Sequence, residues 1–169
     1  MPYKLICFDV DNTLTDFNSD DLRPQAEAHL NTLKSNHIAL ITNQGGPACR
    51  DAEWPWSEKY PTMAEVNARL GWIAKQVKKL TGILPAAFVS WAYITKNDQV
   101  LFPKDLPDDL RDVTLRKPSP AMLLKAMRHY DCQPSDVLMI GDGVEDAEAA
   151  KAAEVDFMWV EKAFSGSGQ

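Results

Sequence analysis

The stretch "CFDVDNTLT", residues 7–15, decides how the rest of the chain is read. Its first residues belong to the apolar run "KLICFDV" (4–10), the composition of a strand buried on both faces of a sheet. Two aspartates follow, Asp9 and Asp11, with Val10 between them. In an extended segment a spacing of two places both side chains on one side. Like charges at the mouth of a buried strand repel each other and lose water, so they require partners from elsewhere in the chain.

Outward from that stretch, strand and helix patterns alternate. Residues 24–35 read as a helix, with Asp21 or Arg23 near its start and Pro24 suited to its first turn. "IALIT" (38–42) is a second buried strand, and the irregular 43–61 segment is expected to face a substrate. Thr62 caps a long helix in which Met63, Val66, Leu70, Ile73, Val77 and Leu80 recur at helical spacing, and Gly82 closes it. Residues 86–94 form a third strand candidate, 96–99 a turn, 100–102 a short strand and 103–116 a loop; the 92–116 segment leaves room for a small insertion. A helix over 119–130 with Ser119 as its cap, a strand over 136–140, a helix over 145–154 and a last strand over 156–160 complete the pattern. The reading is an α/β fold: a Rossmann-like, mostly parallel sheet in a three-layer sandwich, one domain over 1–164, with a flexible tail over 165–169.

Composition narrows the function classes. The 169 residues are 45% hydrophobic and 25% charged, which suits a soluble domain with a substantial core. No apolar run is long enough to span a membrane, and the N-terminus lacks the pattern of a signal peptide. Cys7, Cys49 and Cys132 are far apart and odd in number, so they read as reduced thiols of a cytoplasmic protein, with no zinc loop around Cys49. A net charge of −6 disfavours nucleic acid and anionic membrane as partners and favours a small soluble ligand.

Ligands of open α/β sheets bind beyond the carboxyl ends of the strands. The polar residues expected there are Asp9 and Asp11; Thr42 and Asn43 ahead of Gly45 and Gly46; Lys117 in "LRKPSP"; and Asp142 and Asp146 in "GDGVED". Oxygen ligands from Asp9, Asp142 and a backbone carbonyl suit Mg²⁺. The Thr42 hydroxyl, nearby N–H groups and Lys117 supply donors for a phosphoryl group. One carboxylate can attack phosphorus and a second can move the proton.

This ordered set closely resembles the haloacid dehalogenase-like hydrolase superfamily. Asp9-Val10-Asp11-Asn12-Thr13 matches its DxDxT motif, Thr42 its strand-terminal Thr or Ser, Lys117 its lysine, and Gly141 to Asp146 its GDxxxD. The resemblance implies Asp9 as nucleophile and metal ligand, and Asp11 as general acid/base that also offers its carbonyl to the metal. It further implies Thr42, Asn43 and Lys117 on the phosphoryl oxygens, Asp142 on Mg²⁺ and Asp146 in support. Asn12 stands where Gly is commonest in the family, and Asn tolerates the unusual backbone such a turn needs.

Little more than one helix separates Asn12 from the second strand, so no large cap is expected and the site should be open. "TNQGG" and "GDGVEDAEAA" are similar to the subgroup of histidinol-phosphate, heptose-bisphosphate and polynucleotide 3′-phosphatases. The leading expectation is a phosphatase acting on a small phosphorylated metabolite. A nucleic-acid 3′-phosphatase and a non-catalytic phosphate-binding relative are the alternatives. A signalling receiver domain is excluded because a further strand and helix follow Lys117. Arg50 and Lys59 are candidate contacts to a distal anion of the substrate. Trp54, Trp56 and Tyr60 read as loop packing, Trp91 and Tyr93 as sheet packing, and His29, His37 and His129 as surface or boundary residues.

Overall fold

The computed structural model describes residues 2–166. Strand β1 (Leu5–Phe8) lies at the centre of a five-stranded sheet and is buried along its whole length. Around it the chain adds α1 (Pro24–Leu30), β2 (His37–Asn43), α2 (Gly46–Asp51), α3 (Met63–Thr81), β3 (Ala86–Ser90), β4 (Tyr93–Ile94) and β5 (Val100–Leu101). The second half supplies α4 (Ala121–Tyr130), β6 (Val137–Gly141), α5 (Val144–Ala152), β7 (Asp156–Trp159) and α6 (Val160–Ser165). The sheet order is β3-β2-β1-β6-β7 and every pairing in it is parallel.

Alternation along β1 sorts the core into two layers. Ile6 and Phe8 face a cluster with Leu30 of α1, Val66, Leu70 and Ile73 of α3, and Phe164 of α6. Leu5 and Cys7 face the other side, with Met122 and Leu123 of α4 and Ala149 and Ala150 of α5. Both faces are therefore covered, as a parallel sheet requires. The expected three-layer α/β architecture is present, and among the described residues no large cap covers the strand ends.

Local chemistry explains the best-placed boundaries. Thr62 accepts the Glu65 N–H at 3.1 Å while Glu65 accepts the Thr62 N–H at 2.7 Å, a capping box at the start of α3. Gly82 ends that helix at φ 81°, a left-handed conformation open to glycine.

Several boundaries differ from the sequence reading. The first helix stops at Leu30, well before residue 35. The cap of α4 is Pro120, and Ser119 accepts the Ala121 N–H from one position earlier. The 86–94 strand breaks after Ser90, and Tyr93–Ile94 leaves the sheet to pair antiparallel with Val100–Leu101. Within 43–61 there is helical structure, α2 and a 3₁₀ turn at Ser57–Lys59. The last strand ends at Trp159, and Val160–Ser165 is helical because Val160, Ala163 and Phe164 fill the core. Ser165 closes that helix and Gly166 caps it; the rest of the expected tail lies outside the described residues.

His29 is a further correction. It is buried, edge-on to Phe8 with ring centres 6.1 Å apart and tilted against Phe164 at 5.1 Å. Its Nε2 has no hydrogen-bond partner among the described residues. Trp54 does pack, edge-on to Tyr93 at 6.0 Å, whereas Trp56 is 55% exposed. No described helix is long and apolar enough to cross a membrane.

Candidate active site

The C-terminal ends of β1, β2 and β6 meet at one edge of the sheet, and the loop ahead of α4 reaches the same point. Asp9 extends β1 by one residue, its N–H bonded to the Ile140 carbonyl of β6 at 3.0 Å. The chain then turns sharply, with the Val10 carbonyl accepting the N–H groups of Thr13, Leu14 and Thr15. Asn12 makes the turn possible with φ 59°, the conformation for which glycine or asparagine is suited.

Lys117 is the hub of the buried charges. Its Nζ donates to Asp9 Oδ1 at 2.8 Å, to Asp146 Oδ1 at 2.6 Å and to the Ile41 carbonyl at 2.9 Å. These bonds use all three ammonium protons. The side chains of Lys117 and Asp146 are 2% and 1% exposed, that of Asp9 12%. Burial acts to lower the pKa of Lys117, but the charges of Asp9 and Asp146 outweigh it and the net shift is upward. Lys117 is held charged. Burial pushes the Asp9 carboxyl upward; Lys117 opposes that shift and the charge of Asp146 adds to it.

The loop carrying Lys117 is clipped in place by Asn43. The Asn43 Oδ1 accepts the Lys117 N–H at 3.0 Å, and its Nδ2 donates to the Lys117 carbonyl at 3.1 Å. Both ends of the side chain are thus committed to the loop, leaving the Asn43 backbone as its candidate phosphoryl contact. Asp146 also folds back to accept the N–H groups of Asp142 and Gly143, at 3.2 and 3.0 Å. A side chain at Gly141 would collide with that carboxylate, so the glycine opening "GDGVED" is needed for the close approach.

Three carboxylates, Asp9, Asp142 and Asp146, bring one oxygen each within 4.8 Å of one another. The Thr13 hydroxyl lies between two of them, 3.4 Å from both Asp9 Oδ2 and Asp142 Oδ1. One ammonium does not balance three acids, and an all-oxygen donor set fits a hard cation. Asp146 is already committed to Lys117 and two N–H groups, which leaves Asp9 and Asp142 as the carboxylates facing such a cation.

Asp11 points elsewhere. Its Oδ1 accepts from Arg69 Nη2 at 2.6 Å and from the Asn18 N–H at 3.0 Å, and its Oδ2 accepts from Gln44 Nε2 at 3.0 Å. The same Gln44 nitrogen donates to Thr42 Oγ1 at 2.8 Å, so the buried Thr42 hydroxyl keeps its own proton to give. Sequence reasoning missed Arg69 and Gln44. Gln44 follows Thr42 and Asn43 directly, and Arg69 stands three residues after Val66 and four before Ile73. A charge on the apolar stripe of α3 was the available signal.

A cavity of about 190 Å³ holds Asp9, Asp11, Lys117 and Asp142. It adjoins one of about 510 Å³, sharing Asp11, Phe17 and Asn43, whose wall includes Trp56, Lys59 and Arg116. Lys59 thus lies in the neighbouring space. Arg50 Nη1 donates to the Glu58 and Tyr60 carbonyls at 2.9 and 2.7 Å and holds that wall together.

Parts of the sequence match known proteins, and the fold is similar to solved structures. Residues 109–160 match the family model described as haloacid dehalogenase-like hydrolase. A phosphoglycolate phosphatase of Nitrosospira multiformis is 47% identical over 38 residues, 22% of this chain and 17% of that protein. A D-glycero-beta-D-manno-heptose-1,7-bisphosphate 7-phosphatase of Pasteurella multocida is 42% identical over 45 residues, 27% of this chain and 24% of that protein. The matched stretch spans less than a quarter of either relative. In fold, the chain is similar to a D,D-heptose 1,7-bisphosphate phosphatase from B. bronchiseptica solved with magnesium and phosphate. The TM-score is 0.66 and the identity 23%, over 91% of this chain and 78% of that one.

Proposed function

We propose that this chain is a haloacid dehalogenase-like hydrolase and, more specifically, a Mg²⁺-dependent phosphomonoesterase acting on a small phosphorylated metabolite. The observation that carries the reading is the Lys117 ammonium bridging Asp9 and Asp146 beside a second, separately held carboxylate, Asp11. Structural ion pairing alone calls for neither Asp142 across the gap nor an open cavity over the cluster. The named relatives are phosphatases of small phosphorylated compounds, which agrees with that substrate class.

In this reading Asp9 attacks phosphorus in line. The new O–P bond forms as the bond to the leaving oxygen breaks, and Asp11 gives that oxygen its proton. Asp11 then takes a proton from water as the water oxygen bonds to phosphorus, and the Asp9–phosphorus bond breaks to restore the carboxylate. Lys117, the Thr42 hydroxyl and the Asn43 backbone offset charge on the phosphoryl oxygens. Lys59 and Arg116 line the neighbouring cavity and are the cations placed to meet a distal group of the substrate, while Arg50 braces its wall. Asp9, Asp142 and the Asp11 carbonyl would hold Mg²⁺, with Asp146 in support. When bound, the ion supplies charge neutralisation for the nucleophile and phosphoryl group.

Phosphate release from a panel of sugar phosphates, nucleotides, amino-acid-pathway phosphates and a 3′-phosphorylated oligonucleotide tests the proposal. Wild type with Mg²⁺ is expected to turn over at least one small ester, and EDTA or Asp9→Asn to abolish it. Turnover that survives Asp9→Asn would overturn the assignment of the nucleophile. A preference for the oligonucleotide would replace the substrate class.

A further inference from the structure

Arg69 touches none of the groups around Asp9. It projects from α3 with its side chain 10% exposed and forks between three acceptors. Nη2 donates to Asp11 Oδ1 at 2.6 Å and to Thr15 Oγ1 at 3.1 Å, and Nε donates to the Ser19 carbonyl at 2.8 Å. The guanidinium is thereby locked to the turn that follows the nucleophile. An arginine on the apolar stripe of a helix loses hydration, and a leucine there would pack without that cost. Its geometry has a directed use: it immobilises one carboxylate.

An aspartate side chain has two free torsions, and proton transfer demands one orientation. At Asp11 both torsions are fixed by three donors from three separate segments: Arg69, the Asn18 backbone and Gln44. Oδ1 takes two of these bonds and Oδ2 takes one, so Oδ2 retains the free lone pair. Asp11 also lies on the wall shared by the 190 Å³ cavity of the nucleophile and the neighbouring 510 Å³ cavity. A leaving group extending from one cavity into the other passes this carboxylate.

Resting on the phosphatase reading, we infer that Arg69 is a positioning residue for the proton shuttle. It holds Asp11 so that Oδ2 carries the proton given to the leaving oxygen and later taken from water. Gln44, bonded to both Asp11 Oδ2 and Thr42 Oγ1, keeps that oxygen in register with the phosphoryl site.

Leaving-group dependence separates positioning from mere structural support. The test compares kcat/KM for p-nitrophenyl phosphate, whose leaving phenolate needs little protonation, with phenyl phosphate, whose phenolate needs more. It uses the full chain with Mg²⁺ as wild type, Arg69→Gln, Arg69→Lys, Asp11→Asn and the Asp11→Asn/Arg69→Gln double variant. Arg69→Gln should slow both esters and widen the ratio between them by roughly threefold to tenfold, a fraction of the 10² to 10⁴ typical of general acid catalysis. Arg69→Lys should recover part of that ratio, and the double variant should widen it no further than Asp11→Asn alone. An equal fall for both esters, or full additivity in the double variant, overturns the inference. If the wild type hydrolyses neither of these esters nor any compound of the phosphate-release panel, the phosphatase reading fails on its own. A crystal structure of Arg69→Gln then decides the positioning: an Asp11 carboxylate turned away from Gln44 supports it, and one left in place overturns it.

Discussion

Asp9 and Asp11 are two residues apart, and each carboxylate is bonded to a cation, yet the two environments differ in kind. Asp9 sits in a closed cluster where one ammonium serves two acids and a carbonyl, supplied by the end of β1, the first turn of α5 and the backbone of β2. Asp11 is held from outside the sheet, by an arginine 58 residues further along the chain and by two neutral donors. In the first cluster both acids depend on one ammonium, and losing Lys117 strands two buried charges at once. In the second, each partner can be lost while the others still satisfy the acid. Under the proposed mechanism the difference fits the roles: a nucleophile needs a fixed, screened charge, and a proton shuttle needs a fixed direction.

The largest expected effect breaks the first cluster. Lys117→Met leaves Asp9 and Asp146 buried without their cation, and urea unfolding should show a loss of about 3–5 kcal/mol, together with loss of the proposed phosphate release. Asp146→Asn should cost less, about 2 kcal/mol by the same measurement, because Lys117 keeps Asp9 and the Ile41 carbonyl. Arg69→Met should cost about 1–2 kcal/mol, since Asn18 and Gln44 still bond the Asp11 carboxylate. An Arg69→Met loss as large as that of Lys117→Met would erase the distinction between the clusters.

The smallest effect lies outside both clusters and gives the baseline of ordinary burial. Burial holds the His29 pKa below its ordinary value of 6.5, against a backbone bond to Ala163 that acts to raise it. As pH falls through 6.5 the unfolded chain takes up the proton first, so this residue withdraws stability toward acid pH and withdraws none above neutrality. Unfolding followed from pH 7.5 to 5 should show a decline that His29→Gln makes shallower. An unchanged slope in the variant would remove His29 from the account.

The two clusters also differ in how far the sequence disclosed them. Asp9, Asp142 and Asp146 each follow an apolar strand pattern, Lys117 stands in the loop just ahead of a helix that returns to the sheet, and a parallel sheet sends all such segments to one edge. Their grouping was therefore legible before any coordinates. Arg69 was not, because helical periodicity places a residue on a face without saying which loop that face meets. His29 and the helix at Val160–Ser165 were missed for a related reason: a short helix or a single histidine is ordered by its tertiary neighbours, here Phe8 and Phe164.

By itself, then, the sequence determined the alternation of strands and helices, the depth of β1 and the supply of acids and a lysine at one sheet edge. Periodicity and turn chemistry are local, and the handed parallel topology converts them into position with few alternatives. Only the tertiary structure decided how the charges are shared: that Lys117 spends its protons on Asp9, Asp146 and Ile41, that Asn43 grips the lysine loop, and that Arg69 crosses from α3 to hold Asp11. Those choices depend on distances of a few ångströms between segments remote in the chain, and only packing sets such distances.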